Sequence, residues 1–235
     1  ESTYIFKHAL TREVVYDSIL TKRKKALHKQ IGNAIEDLYK NNTIEQYEVL
    51  AEHYFLSEDH EKGAKYLRLS AKKAVKSASF VDAVAYGEKR ITCLEKLPVS
   101  ADVQKEIIDA RTGLGLFYIN TNYHLKAKET VEPIVELTIE HDLKGRISQI
   151  YTIIGTYYYM IKEDYPKAFK YLEDARIIAE KQNDNLTLWQ ANYWLGFWFS
   201  HKCEYEKALF FMGKALEINI ATNTLWGVSV MKSVM

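Results

Sequence analysis

Proline and glycine are scarce: 3 Pro and 10 Gly punctuate 235 residues, too few turn formers for a sandwich or barrel of many short strands. Cysteine is scarcer still. Cys93 and Cys203 stand without CxxC spacing, and no charged-then-apolar leader opens the chain at Glu1, so a reduced, cytoplasmic setting is expected. No apolar run approaches the roughly 18 to 20 residues that cross a bilayer, and no membrane partner is expected. An excess of one charge sign is also missing. The formal net charge is +1 although 27% of the residues are charged, which removes bulk affinity for nucleic acid. What is present is a 47% share of hydrophobic residues, enough to bury a core and to argue against disorder. The length fits one large domain, two small ones or a repeat array.

Self-similarity favours the array. Leu114-Gly115-x-x-Tyr118, Ile154-Gly155-x-x-Tyr158 and Leu195-Gly196-x-x-Phe199 place a large residue, a Gly and an aromatic in one register, with glycines 40 and 41 residues apart. Each is followed by a small-x3-large-x2 segment: Ala127, Val131, Ile134; Ala168, Leu172, Ala175; Ala208, Met212, Ala215. On a helix, positions three and four apart share a face, so the first block is an apolar stripe with a notch at Gly. The second block supplies complementary small and large surfaces. Neither helix buries its stripe alone, so Gly155 and Gly196 are expected at buried helix contacts and the units must stack.

These residues resemble the tetratricopeptide repeat, a helix-turn-helix of about 34 residues with the pattern W-x2-L-G-x2-Y followed by A-x3-F. The resemblance implies an all-α fold, a right-handed α-solenoid of tetratricopeptide-like helical hairpins. Arg111, Tyr151 and Asn192 stand in place of the signature Trp, and the longer period reads as roughly one extra turn per helix.

Residues 101–235 hold three clear repeats of about 40 residues and the start of another. Asp142, Asn183 and Asn223 each sit 13 residues before a repeat's Gly position, and the last such position falls just beyond Met235. Residues 41–100 read as degenerate hairpins, with Leu50-Ala51-x-x-Tyr54, Gly63, Leu67 and an Ala71, Ala74, Ala83 series. Asn41-Asn42, Ser57-Glu58-Asp59, Leu97 to Ser100, Asn120 to Asn122 and Gln182 to Asn185 cluster polar turn formers and mark the breaks.

Residues 1–40 lack the repeat pattern. Phe6-Lys7-His8-Ala9-Leu10, then Tyr16-Asp17-Ser18-Ile19-Leu20, Lys22-Arg23-Lys24-Lys25 and Leu27-His28 resemble the end of the ATPase module of bacterial STAND-type signalling ATPases. In that family a winged-helix segment precedes tetratricopeptide repeats, and fusion to nucleotide cyclases, kinases or transcription activators is common. The resemblance spans residues 4 to 90. It implies a piece of a larger signalling protein, in which His8 reaches nucleotide. No G-x4-G-K-[ST] is present, so this chain cannot cradle phosphates, and no cofactor is expected.

No catalytic or metal constellation is visible. The seven histidines include no i,i+4 pair and no H-E-x-x-H, so metal ligation and catalysis are not expected. The basic run Lys22 to Lys25 offers the rival reading, a nucleic-acid-binding winged-helix region of a transcription regulator; exposure to solvent is the simpler account. The resemblance to tetratricopeptide repeats implies a groove lined by residues flanking the notch Gly on each first helix. These are Asp109, Thr112, Leu116 and Asn120; Gln149, Thr152, Thr156 and Tyr159; Gln190, Tyr193, Phe197 and His201. The wall is aromatic, polar and nearly uncharged. A protein or peptide partner, or the parent protein's own ATPase or effector domain, is the expected occupant. The competing expectation is that Tyr193 and Phe197 merely pack on the next repeat.

Overall fold

The structure, a computed structural model, describes residues 9–40 and 42–234. It is all-α, with no strand among the described residues, and forms a helical solenoid of hairpins. The helices are α1 (Ala9–Ser18), α2 (Thr21–Leu38), α3 (Tyr47–Leu56), α4 (His60–Lys76), α5 (Phe80–Leu94), α6 (Ala101–Asn120), α7 (His124–Val131), α8 (Val135–Glu140), α9 (Lys144–Tyr157), α10 (Tyr165–Gln182), α11 (Asn185–His201), α12 (Tyr205–Ala221) and α13 (Leu225–Val234). Contacts divide the chain into two compact units. The first runs to Ser70 and takes in Lys89–Pro98; the second comprises Ala71–Glu88 and Val99 onward.

In the second unit the sequence motif has a direct packing meaning. A Cβ added at Gly115 would lie 2.9 Å from Val131 Cγ1, at Gly155 2.8 Å from Leu172 Cγ, and at Gly196 2.6 Å from Met212 Cγ. The notch of each first helix therefore receives the large residue of the small-x3-large segment that follows it. Val131, Leu172, Ala127, Ala168, Ala175 and Ala215 are completely buried by these contacts.

The turns obey a shorter period than the repeat. Left-handed residues stand at Asn122, Asp142, Glu163, Asn183, Cys203 and Asn223, about every 20 residues, so the structural beat is one helix plus one turn. In two of the three first-helix turns the closing donor is the backbone N–H five positions after the motif aromatic. Tyr123 N donates to Tyr118 O and Glu204 N to Phe199 O; the second helices close alike, Leu143 N to Thr138 O and Asp184 N to Ala179 O. Such bonds satisfy carbonyls orphaned at a helix end. All these positions hold Asn, Asp, Glu or Cys rather than Gly; Asn122 and Asn183 fall in expected breaks, whereas Glu163 and Cys203 carry no turn signal in the sequence.

One interval is 21 residues, Asp142 to Glu163, and it contains a π-helical turn over Tyr158–Lys162. There the closing bond runs from Asp164 N to Tyr158 O, one residue longer than elsewhere. The added residue that makes one repeat 41 rather than 40 long is taken up by this turn, as expected of a π-bulge.

A second departure from the expected regular hairpin lies between α7 and α8. Pro133 sits in a 3-10 turn over Glu132–Ile134, because its missing N–H and its ring break the α ladder. Val131 and Ile134 remain buried, so the helix is broken without losing its apolar face. Pro166 occupies the first turn of α10 behind the Asp164 cap, whose side chain accepts from Lys167 N, where a proline costs no hydrogen bond.

The first unit uses different means. Ala51, not Gly, occupies the notch register, and the close approach moves to the neighbouring helix: a Cβ at Gly32 would lie 3.0 Å from the Tyr54 ring. Tyr54 is fully buried. Its hydroxyl donates to Glu36 and lies 3.0 Å from Asn33 Oδ1, Tyr66 donates to the other Glu36 oxygen, and Lys62 pairs with the same carboxylate.

Candidate functional site

Within the second unit, α6, α9, the π turn that follows α9, and α11 carry the expected groove positions, and burial sorts them into three groups. Thr112, Thr152 and Thr156 are fully buried, so their expected place on an accessible wall is corrected. Thr152 donates to Ser148 O and Thr156 to Ile153 O, which leaves their methyls to fill space between helices. Leu116 and Gln190 are buried as well, so Gln190 too is off the accessible wall on which it was expected.

Asp109 and Gln149 are absorbed into a polar chain that links three first helices. Arg146 pairs with Asp109 through Nε and donates to Gln149 Oε1 through Nη1. The Gln149 amide donates to Asp184, the cap of α11, which also accepts from Thr187. These side chains already have partners and set the register of neighbouring repeats.

The remaining positions converge. Tyr159, Tyr193 and Phe197 are half-buried, while His201 and Asn120 are exposed. The Tyr193 and Phe197 rings lie 4.9 Å apart, and Tyr159 donates to Phe197 O at 3.3 Å and stands edge-on to His201 at 6.3 Å. Tyr193 and Phe197 also lean on a buried cluster of Trp189, Met212, Ala215 and Met231. Packing on the next hairpin and facing outward are thus both true of them. Of the three successive tyrosines, Tyr157 is buried, Tyr158 stacks on Tyr171 at 5.7 Å, and Tyr159 alone joins this surface.

Three partners of this surface were not expected from the sequence. Trp194 joins Tyr159 at 6.0 Å to Tyr193 at 5.4 Å, His124 meets Trp194 edge-on at 5.6 Å, and Tyr165 lies 4.3 Å from His201. Trp194 stands two residues before the notch Gly, where the other repeats have Gly113 and Ile153; the stripe argument passes over that position. The only sequence signal for it was the density of aromatic residues in α11. At one end of the surface Ile119, Asn120, Asn122, His124, Trp189, Gln190, Tyr193, Trp194 and Val230 line an open pocket of about 260 Å³.

In the first unit the basic run is partly neutralised. Lys24 pairs with Asp17 and Lys25 with Glu58, which takes two of its four charges out of play for phosphate. His28 and His53 face each other through Nδ1 atoms 2.9 Å apart, with Tyr16 on the far nitrogen of His28. Burial lowers the pKa of both rings. Among the described residues no group of three or more His, Cys, Asp or Glu is placed to hold a metal ion, and no helix is long and apolar enough to cross a membrane. Burial raises the Cys93 thiol to about 11, which removes its nucleophilicity at neutral pH. His8 lies outside the described residues.

No family model and no curated protein matches this chain. Solved structures do. The apo form of RapI is similar over 90% of this chain at 18% identity, with a TM-score of 0.55, and the chain spans 58% of that protein's length. BtubC from P. vanneervenii matches over 87% of this chain and 75% of its own at 14% identity and a TM-score of 0.48. A putative kinesin light chain of Podospora anserina, described as having nearly identical TPR-like repeats, matches over 87% and 98% at 13% identity and a TM-score of 0.49. The likeness to RapI is one of fold. It accords with the helical solenoid and the notch packing described above.

Proposed function

We propose that the chain is a non-catalytic protein-interaction scaffold whose second unit holds an extended peptide segment of a partner on the Tyr159, Tyr193, Trp194 and Phe197 surface. The observation that carries this reading is the contiguous row of rings left half-exposed in a chain that buries Tyr54, Tyr66 and Tyr118 almost completely. Rigid aromatic groups left in contact with water are costly unless a partner covers them, and they supply most of the energy at protein interfaces. In the parent protein the scaffold belongs to a signalling ATPase of the STAND type, a reading that rests on the resemblance of residues 4 to 90. There a bound partner, or the protein's own ATPase or effector domain, biases a two-state switch by its differential affinity.

The test is selection of a randomised heptapeptide display library on the purified chain and on its Tyr193→Ser/Phe197→Ser variant. Enrichment of related sequences on the first and not on the second is expected. No enrichment on the unaltered chain, or equal enrichment on both, overturns the proposal.

A further inference from the structure

The two places where the hairpins of the second unit depart from regular helical geometry border one open pocket of about 450 Å³. Its walls include Pro133, from the 3-10 turn between α7 and α8, and Tyr158, from the π turn after α9. Turns of π geometry are rare and recur at functional sites. Neither irregularity is required by the notch packing, because Gly196 receives Met212 in a hairpin that has neither. Tyr158 and Tyr159 are successive residues of the π turn and serve different sides, Tyr158 the pocket and Tyr159 the aromatic surface.

The charges at this pocket do not cancel. Lys128 and Glu132 both line it and pair with each other. Lys167, whose ammonium lies 5.2 Å from the centre of the Tyr158 ring, pairs with Asp164. Glu136 also lines the pocket, is exposed, and has no ion pair or side-chain hydrogen bond among the described residues. One accessible carboxylate is therefore left over. The surroundings already favour a cation: the Lys128 ammonium lies 5.7 Å from the Tyr157 ring, and its bond to Glu132, reinforced by Tyr157 and Tyr158, raises its pKa above the ordinary value.

The rest of the lining fixes what else the ligand carries. Pro133, Val135 and Ile154 are apolar, and Tyr158 and Tyr171 stack with their planes 6° apart. An anion is repelled by Glu136, and a neutral apolar group covers the carboxylate without answering its charge. A cation on an apolar stem meets both kinds of wall. Of the two basic side chains, arginine is the more weakly hydrated, holds a carboxylate with two parallel N–H bonds and lies readily against aromatic rings. It therefore gives up less hydration on entering a half-open pocket. We infer that this pocket receives an arginine of a protein partner, with its guanidinium on the Glu136 carboxylate beside the Tyr158 and Tyr171 pair and its stem against Pro133, Val135 and Ile154.

This site is separate from the aromatic surface and does not rest on the groove reading. The probe is N-acetyl-arginine methylamide, titrated against the full chain while the backbone amide resonances of Glu136, Tyr158 and Tyr171 are followed by NMR, with the lysine and norleucine counterparts alongside. The arginine probe is expected to shift all three resonances saturably, the lysine probe to require higher concentrations, and the norleucine probe to leave them unmoved. Binding should weaken as salt is raised from about 0.05 M to about 0.5 M, because the carboxylate is exposed. Glu136→Gln keeps the length of an exposed side chain, so the melting point should hold while the probe binds about fivefold more weakly. Glu136→Lys, which reverses the charge at the same exposed position, should abolish the response. No response to the arginine probe, an equal response to either counterpart, or unaltered binding in Glu136→Gln or Glu136→Lys overturns the inference.

Discussion

The two units hold their hairpins together by different chemistry. In the second, Gly115, Gly155 and Gly196 admit Val131, Leu172 and Met212, and the join is apolar. In the first, Ala51 fills the notch register, the close approach passes to Gly32 against Tyr54, and a carboxylate collects two phenols and an ammonium. Apolar interdigitation is indifferent to pH and repeats readily along a chain; a polar knot is tied once and depends on one ionisation. The repeat motif is therefore visible where packing is apolar and fades where a hydrogen-bonded centre replaces it.

The largest effect is expected where the notch is filled. Gly196→Leu would drive a side chain into Met212 and toward Ala208 O and should cost about 3 kcal/mol, read as a fall in the denaturation midpoint. Added Met212→Ala should recover part of that loss, since the two residues are in contact. Gly113 is the control, because a Cβ there meets nothing within 4 Å; Gly113→Ala should stabilise by about 1 kcal/mol. Equal effects at the two glycines would erase the apolar half of the comparison.

The polar knot gives the next effect. Glu36→Ala strips an acceptor from Tyr54, Tyr66 and Lys62 and should cost about 2 kcal/mol. Burial works to raise the Glu36 carboxyl, but the bonds from Lys62, Tyr54 and Tyr66 outweigh it and hold its pKa at about 2, below the ordinary 4.5. A lowered folded-state value means that the contribution is fully present above about pH 4.5 and is lost as pH falls toward 2. Acid melting curves of the unaltered chain and of Glu36→Gln should therefore converge across that window. Curves that stay parallel would show that the knot is not ionic.

Asn219 sharpens the comparison from the other side. It is fully buried with both amide atoms unpartnered, at the small-residue position held by Ala179 one repeat earlier. A lone amide in an apolar join has none of the partners that Glu36 has, so Asn219→Ala should raise stability by about 1 kcal/mol. The smallest effect belongs to the turns. Ala78 and Cys203 are left-handed at φ 57° and 59°, a conformation that disfavours a Cβ unless the side chain is Asn or Asp. Ala78→Gly should gain about 0.5 kcal/mol and Asn183→Gly close to nothing, as read from thermal midpoints.

The hairpins of the second unit were legible because notch and knob are sequence patterns. The glycine register gave the partner helix, and the small-x3-large series gave the side chain that enters the notch. The groove was half legible: Tyr159, Tyr193, Phe197 and His201 meet, whereas Thr112, Thr152 and Thr156 are short enough to be swallowed between helices. Matching offsets identify a stripe, but depth along the stripe depends on side-chain length and on the neighbouring repeat. Trp194 and His124 were missed because their contact joins residues 70 positions apart, which no local period encodes. The Glu36 knot was illegible for a similar reason, as Tyr54, Lys62 and Tyr66 reach it from two further helices.

A length change inside a helix ordinarily turns everything beyond it by about 100° per residue and ruins the contact face. The π turn at Tyr158–Lys162 absorbs its additional residue locally, and α10 starts in register on the far side. Tyr159 lies within that turn, so the same residue that would be a frameshift in the packing acts as an aiming device for one ring of the aromatic surface. Insertions and deletions, the coarsest changes a gene can suffer, are here a fine adjustment: trimming the turn to α geometry would swing Tyr159 away from Phe197 while leaving the hairpins joined.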